Sequence, residues 1–390
     1  MKILMLWKYY PKYLKYFYER HPYVTDLSFE EHRNEIFDDH FSWPAELCRF
    51  INQNGIKAEF IIANAELLQK KWARENGFAR YSAKNWEKEI AMEQVKRFSP
   101  DILWIAHIYD YFGAFVKEAV SYCKKAITWI SAPLPEYLDI TGLTTLITAY
   151  PDMLKGRKYS FSEIIVTKTG FNPEILKKIG VVEKKQDVVF VGQVTENHTK
   201  RAELLAYLIE NGISLKVFGF LPERQSFERL QTFKTAASHI LKHQDLQQGL
   251  AVLKRAFGKR GYYRNIEVIK SAYKGPVFGL DMYRTLMGSR IVVNAHIDIA
   301  ENYAGNMRMF EATGSGACLL TEHCKNINEL FSPGKEVLVY RSKEELLEII
   351  SSCLRDKNKV EEIAYRGQKK TLASHTMENM FNDIKPAFDI

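Results

Sequence analysis

Short apolar runs recur along this chain, each followed by a longer amphipathic stretch, and the series is run through twice. In the first half, residues 2–7, 59–62, 102–106, 126–131 and 163–167 read as buried strands, with helices such as 44–54 and 86–98 between them. Gly55 stands just past the first of these helices, where a residue without a Cβ ends a helix at least cost. The second series opens at 187–192, an apolar strand ending in Gly192, followed by a helix over 200–211 that Gly212 stops and a strand over 215–218. Strands over 290–294, 317–321 and 337–340 complete it, and Ser342 with Glu345 has the spacing of a capping box before the next helix. Strands that alternate with helices pair in parallel, because right-handed crossovers place helices on both faces of the sheet. The expected fold class is therefore α/β, with two domains over 1–172 and 185–375 joined across about 171–185. Ligands bind outside the carboxyl ends of such strands, so two facing domains offer two half-sites in one cleft.

The 390 residues suit two domains of roughly 150 residues each. A composition of 46% hydrophobic and 26% charged residues excludes a disordered or collagen-like chain. No run approaches the ~20 apolar residues of a membrane span. The apolar start stops at Lys8, too short for the core of a signal peptide. Cys48, Cys123, Cys318, Cys324 and Cys353 are scattered without metal-ligand spacing, so reduced thiols in a cytoplasmic protein are expected.

The net charge of +8 is concentrated: residues 221–274 hold eleven Lys or Arg against four Asp or Glu. Leu246, Leu250, Leu253 and Phe257 repeat there at helical spacing beside Lys254, Arg255, Lys259 and Arg260, which predicts a basic helical insertion. Such a face meets anionic lipid headgroups or a phosphorylated acceptor, or is a solvated helix pair. Nucleic acid is not an expected partner, since no binding motif accompanies the charge.

From Lys8 to Ser42 no periodic element stands out, so a long polar loop over the cleft is expected, carrying His21, Asp26, His32, Asp38, Asp39 and His40. Ser42 and Pro44 then suit the start of a helix. His107 and Asp110 follow strand 102–106 directly, at the edge that faces the cleft. These placements make His107, Asp110 and His40 the candidates for proton handling; a lone histidine after a strand also serves as a structural hydrogen-bonder. His296, just after strand 290–294, is placed either to touch a bound sugar or to cap a loop.

The densest pattern runs from Asn306 through Arg308 and Glu311 to Gly314, Ser315 and Gly316, ahead of strand 317–321. A carboxylate near a helix start suits the two hydroxyls of a ribose, and Arg308 presents forked donors to diphosphate oxygens. The N–H groups of the helix start add anion stabilisation, and the glycines permit close approach of backbone to strand or ligand.

Together with 291–311, the run Ile327-Asn328-Glu329-Leu330-Phe331-Ser332-Pro333-Gly334-Lys335-Glu336-Val337 and residues 342–347, this pattern resembles CgeB-like glycosyltransferases of the group 1 superfamily over roughly 187–370. The resemblance implies a GT-B fold: two Rossmann-like domains with parallel sheets facing across a cleft, the first binding the acceptor and the second the nucleotide-sugar donor. It also implies that the last helix, about 376–390, crosses back to the first domain. Glu311 matches the ribose-binding glutamate, Gly192 lies on the loop facing the diphosphate, and Lys200 and Arg201 are placed like residues that meet the phosphates. Asn306 and Arg308 match the motif. One departure stands out, because many retaining relatives carry a second glutamate eight positions before the ribose ligand, where this chain has Tyr303, with Glu301 out of register.

The expected activity is that of a glycosyltransferase, hexosyltransferase in type, moving a sugar from a nucleoside-diphosphate donor to a saccharide, lipid-linked or protein acceptor in bacterial surface-glycan synthesis. Retention is favoured over inversion. Arginines and helix N-termini supply the positive charge, so neither metal nor cofactor is expected. The expected place is cytoplasmic, with peripheral contact at the inner face of the membrane through 221–274. Two alternatives stand beside this: a non-catalytic nucleotide-sugar-binding or assembly protein on the same fold, kept open by Tyr303, and a nucleotide-sugar epimerase, for which no motif speaks.

Overall fold

A computed structural model describes residues 1–131, 137–150, 152, 159–196, 198–222, 260–296 and 302–389. The first domain runs β1 (Lys2–Trp7), α1 (Pro11–Arg20), α2 (Phe29–Asp38), α3 (Trp43–Gln53), β2 (Lys57–Ile62), α4 (Glu66–Glu75), α5 (Trp86–Phe98), β3 (Ile102–Ile105), α6 (Ala114–Ala119), β4 (Lys125–Trp129), β5 (Thr145–Thr148) and β6 (Glu163–Val166). Its strands form one parallel sheet in the order β2-β1-β3-β4-β5-β6. After α7 (Glu174–Ile179), the second domain continues through β7 (Gln186–Val191), α8 (Thr199–Glu210), β8 (Leu215–Phe218), β9 (Ser289–Asn294), β10 (Cys318–Glu322) and β11 (Leu338–Tyr340). These strands make a second parallel sheet in the order β11-β10-β9-β7-β8.

Both sheets are covered on both faces. In β1, Ile3, Met5 and Trp7 enter one core while Leu4 and Leu6 enter the other. In β7, Val188 and Phe190 face one side and Val189 and Val191 the opposite side. Continuous apolar strands therefore follow from double burial, with the side-chain alternation hidden because both faces are dry.

The stretch 8–42 is not a long loop. Pro11 occupies the first turn of α1, and Tyr13, Leu14 and Phe17 bury its inner face. Ser28 and Glu31 form a capping box at α2, whose Phe29, His32, Ile36 and Phe37 point inward. The helical spacing was present, but tyrosines and a histidine stood where aliphatic residues usually mark a core face. Strand β5 is a second difference. Its four residues, half of them threonine, are buried at the centre of pairs with β4 and β6.

The chain passes between the domains twice at one place. Phe171 N–H donates to His375 O at 2.8 Å, and Met377 N–H donates back to Phe171 O at 3.1 Å. A Cβ on Gly170 would lie 2.3 Å from Thr376 O, so glycine allows the two crossings to touch. Helix Met377–Ile384 then buries Met377, Met380, Phe381 and Ile384 in the core of the first domain.

A second seam joins the domains. Phe278 of the second domain packs among Tyr13, Tyr16 and Phe41 at ring separations of 5.2–5.7 Å. Asp39 accepts from Leu280 N–H at 3.3 Å, next to Gly279 with φ +50°. Tyr16 donates its hydroxyl to Asp281 at 2.7 Å.

Most of the basic insertion, including its apolar repeat Leu246–Leu250–Leu253–Phe257, lies outside the described residues. Its end is helix Arg260–Lys270, which buries Tyr262, Ile266 and Ile269 in the core that α8 shares. Among the described residues no helix is long and apolar enough to cross a membrane.

Candidate functional site

A cavity of about 680 Å³ opens between the domains at the carboxyl ends of both sheets. The end of β1 (Trp7 to Tyr10) and the end of β3 (Ala106, His107) line one side. The end of β7 (Val191, Gly192) and the end of β8 (Gly219) line the other. Its size is within the ~300–1,000 Å³ of small-molecule sites.

On the second-domain wall, helix Met307–Gly314 brings Arg308 and Glu311 one turn apart on its cavity face. Glu311 is 6% exposed and its Oε2 lies 2.7 Å from Arg308 Nη1. Arg308 is anchored from behind, its Nε–H donating to Val191 O at 3.0 Å. The guanidinium is thus aimed by the strand end, and it keeps further N–H donors for a ligand. Asn306 caps the helix by backbone conformation alone. Its side chain is spent on Asn294, at 2.9 Å, leaving the first-turn N–H groups without a side-chain cap.

The loop after β7 makes the adjoining wall. Gly219 has φ +143°, and a Cβ there would fall 1.8 Å from Gly192 O. The missing Cβ of Gly219 lets the ends of β7 and β8 touch at the cavity wall. Gly219→Ala is expected to cost at least ~2 kcal/mol through overpacking and backbone strain. At roughly 2–4 °C per kcal/mol for domains of this size, the thermal midpoint falls by about 5 °C or more. An unchanged midpoint in differential scanning calorimetry would disprove the tight contact.

Arg201 lines the cavity while buried, donating to Gln193 O at 2.6 Å and Ala295 O at 2.7 Å. It props the loop and contributes its charge. Lys200 is exposed and the structure does not bring it to the cavity, because adjacent residues at the start of α8 point about 100° apart. His198, which the sequence reading passed over, lines the cavity instead. Its Nδ1 accepts from Thr195 N–H at 3.2 Å and sits 2.8 Å from Thr195 Oγ1. That pairing places the ring proton on Nε2, a neutral donor. Burial, with Arg201 nearby, pushes its pKa down to about 4.

On the first-domain wall, His107 has φ +54°. Its carbonyl accepts from Asp110 N–H at 2.8 Å and Tyr111 N–H at 3.3 Å, a tight turn that carries the ring into the cavity mouth. Burial holds its pKa below the ordinary 6.5, with Asp110 working in the opposite direction. Its imidazole is therefore neutral near pH 7. Asp110 does not line the first cavity; it pairs with Lys8 at 3.3 Å on the far side of His107.

His40 is set behind the wall. It is 5% exposed, and its Nδ1 lies 3.0 Å from Glu46 Oε1, while Glu46 also accepts from Asn172 at the domain crossing. The structure gives His40 a place in the seam between domains, away from the cavity lining. The chain turns just past the end of α2, with His40 at φ +53°, and this brings the ring inward. His296 is also buried, its Nε2 3.3 Å from Thr321 Oγ1, and burial pushes its pKa down to about 4. Tyr303 lies beside Lys325, with the ammonium 5.8 Å from the ring centre, and does not line the cavity.

Residues 233–385 match a family model described as "Glycosyl transferase-like". No curated protein matches the chain by sequence. Among solved structures, the chain is similar to a glycosyltransferase from Rickettsia africae ESF-5, at 12% identity and a TM-score of 0.57, over 100% of this chain and 98% of that one. It is also similar to Anabaena Alr3699/HepE in complex with UDP, at 12% identity and a TM-score of 0.51, over 100% of both chains. A third similarity is to AviGT4, a glycosyltransferase involved in avilamycin A biosynthesis, at 12% identity and a TM-score of 0.53, over 89% of this chain and 88% of that one. Two parallel α/β sheets, a cleft between their carboxyl ends and a last helix that returns to the first domain give this chain the GT-B fold.

Proposed function

We propose that the protein transfers a sugar from a nucleoside-diphosphate donor to an acceptor hydroxyl. The observation that carries this reading is the juxtaposition, across one cavity, of the Glu311–Arg308 pair with a neutral His107. Glu311 accepts hydrogen bonds from the two ribose hydroxyls. Arg308, the open N-terminus of helix Met307–Gly314, His198 and the charge of Arg201 meet the diphosphate. The acceptor oxygen forms its bond to the anomeric carbon on the same face from which the diphosphate departs, as the carbon–oxygen bond to the diphosphate breaks, so the configuration is retained. The bonding pair leaves on the diphosphate, and the acceptor proton passes to His107. Two guanidinium groups thus neutralise the leaving group, and no metal ion is needed in this reading. Retention, and a role in surface-glycan synthesis, are the finer parts of the proposal and rest on the motif resemblance.

The Anabaena protein was solved with UDP and with UDP-glucose, which favours uridine for the donor here. A thermal-shift series against UDP, GDP, TDP, CDP and CMP tests it. A nucleotide at a hundred times its Kd adds about 2.7 kcal/mol, several degrees in midpoint. UDP is expected to stabilise the protein, and mass spectrometry should find the sugar released or transferred from the matching UDP-sugar. No stabilisation by any nucleotide, with no sugar release, refutes the proposal.

A further inference from the structure

A second cavity, of about 570 Å³, adjoins the first and shares Lys8, Tyr9, Tyr10 and His107 with it. It lies wholly on the first domain, between the end of β1 and the first turns of α4 and α5, which bring Glu66 and Glu87 to its rim. The two cavities differ in charge. Apart from the shared Lys8, the first is lined by Arg201 and Arg308 against Glu311. The second has Lys8 against Glu66, Glu87 and Asp110. Moreover, Lys8 is already held between Glu87 at 3.1 Å and Asp110 at 3.3 Å, so it has little charge to offer a ligand. Glu66 pairs with Lys70, whose ammonium lies 5.8 Å from the Trp86 ring at the start of α5 and does not line the cavity; a surface pair of this kind is weak in water.

We propose that this second cavity is the acceptor site, and that it selects hydroxyl-rich acceptors that are neutral or cationic while rejecting anionic ones. This rests on the transferase reading above. Carboxylates accept hydrogen bonds from sugar hydroxyls and from ammonium groups, whereas a uronate or phosphate brought beside them meets like charge, with no unpaired cation among the described residues that line the cavity. Tyr10, Tyr18, Leu14 and Leu67 give the apolar surface on which the C–H face of a sugar ring packs. The shared wall makes the division of labour physical. The diphosphate goes to the positive cavity, the acceptor to the negative one, and His107 stands where a hydroxyl in the second reaches an anomeric carbon in the first.

The test uses the full chain saturated with the nucleoside diphosphate that stabilises it. The probes are methyl glycosides of neutral hexoses, of 2-amino-2-deoxyhexoses and of hexuronic acids, with a hexose phosphate as a fourth class. Saturation-transfer NMR reads binding, and mass spectrometry reads transfer from the matching nucleotide sugar. Neutral and amino glycosides are expected to bind and react at least tenfold better than uronides and phosphates. Leu67 is 47% exposed, so Leu67→Trp fills the cavity without burdening the core. It should cut transfer at least tenfold while the nucleotide-induced thermal shift stays intact. Glu66→Lys should narrow the discrimination against uronides. Equal or better use of anionic glycosides, no glycoside binding at all, or full transfer by Leu67→Trp would each overturn the assignment. Loss of nucleotide stabilisation in the wild type would instead strike the transferase reading itself.

Discussion

His107→Ala is expected to lower turnover by about 10²–10⁴-fold, the range for a group that moves a proton in the transition state, while leaving the nucleotide-induced thermal shift unchanged. Alanine also has to occupy φ +54°, a left-handed conformation that costs a residue with a Cβ roughly 1–2 kcal/mol. Asparagine tolerates that conformation far better, so His107→Asn separates backbone strain from lost chemistry. Both variants should lose turnover alike. The wild-type pH profile carries the sign. A protonated imidazole cannot accept a proton, so activity falls as pH drops through the pKa of His107, which burial sets below 6.5. Asp110 favours the charged ring and Lys8 disfavours it. Asp110→Asn therefore moves the acid limb to lower pH. That displacement is one a purely structural Asp110 would not produce. His107→Asn with near wild-type turnover and the same acid limb would remove His107 from the reaction.

How much of this was legible beforehand can be judged residue by residue. Apolar runs such as the one ending at Val191 announce themselves because a strand buried on both faces has no polar positions to interrupt it. The Arg308–Glu311 pair was legible for a similar reason: the spacing of three on a helix puts both on one face. Helices α1 and α2 were not, although Ser28 and Glu31 formed a visible capping box, because an aromatic core face imitates a polar loop in composition. His107, directly after strand 102–106, and His40, at the mouth of the helix that begins near Pro44, are both legible as candidates facing the cleft. What separates them is where α2 ends and how tightly the chain turns after β3, and neither is a local property of the residue. Gly219 against Gly192, and Phe278 against Tyr13 and Phe41, join residues far apart in the chain. No periodicity records such contacts. The charge contrast between the two cavities belongs to the same class, since Glu66, Glu87 and Asp110 come from three separate segments.

Glu311→Ala is expected to weaken nucleoside-diphosphate binding by at least 100-fold. A hydrogen bond to a charged group contributes about 1.5–3 kcal/mol, so losing both ribose contacts removes about 3 kcal/mol or more, and each 1.4 kcal/mol is tenfold. The substitution also strips Arg308 of its 2.7 Å partner. The guanidinium nevertheless stays tethered through Nε to Val191 O and lines the cavity between the domains, so the fold survives. Because the carboxylate reads the ribose and the guanidinium reads the phosphates, the two residues should fail differently. With Glu311→Ala, uridine itself loses affinity along with UDP. With Arg308→Gln, UDP weakens far more than uridine, and the salt dependence of UDP binding becomes shallower because one cation fewer meets the diphosphate. Isothermal titration of both ligands against both variants gives four affinities, and the pattern is diagnostic. If Glu311→Ala binds UDP as tightly as the wild type, the ribose lies elsewhere. If the two variants lose uridine and UDP in equal proportion, the pair acts as one structural unit that shapes the helix, and the separate roles of carboxylate and guanidinium fall.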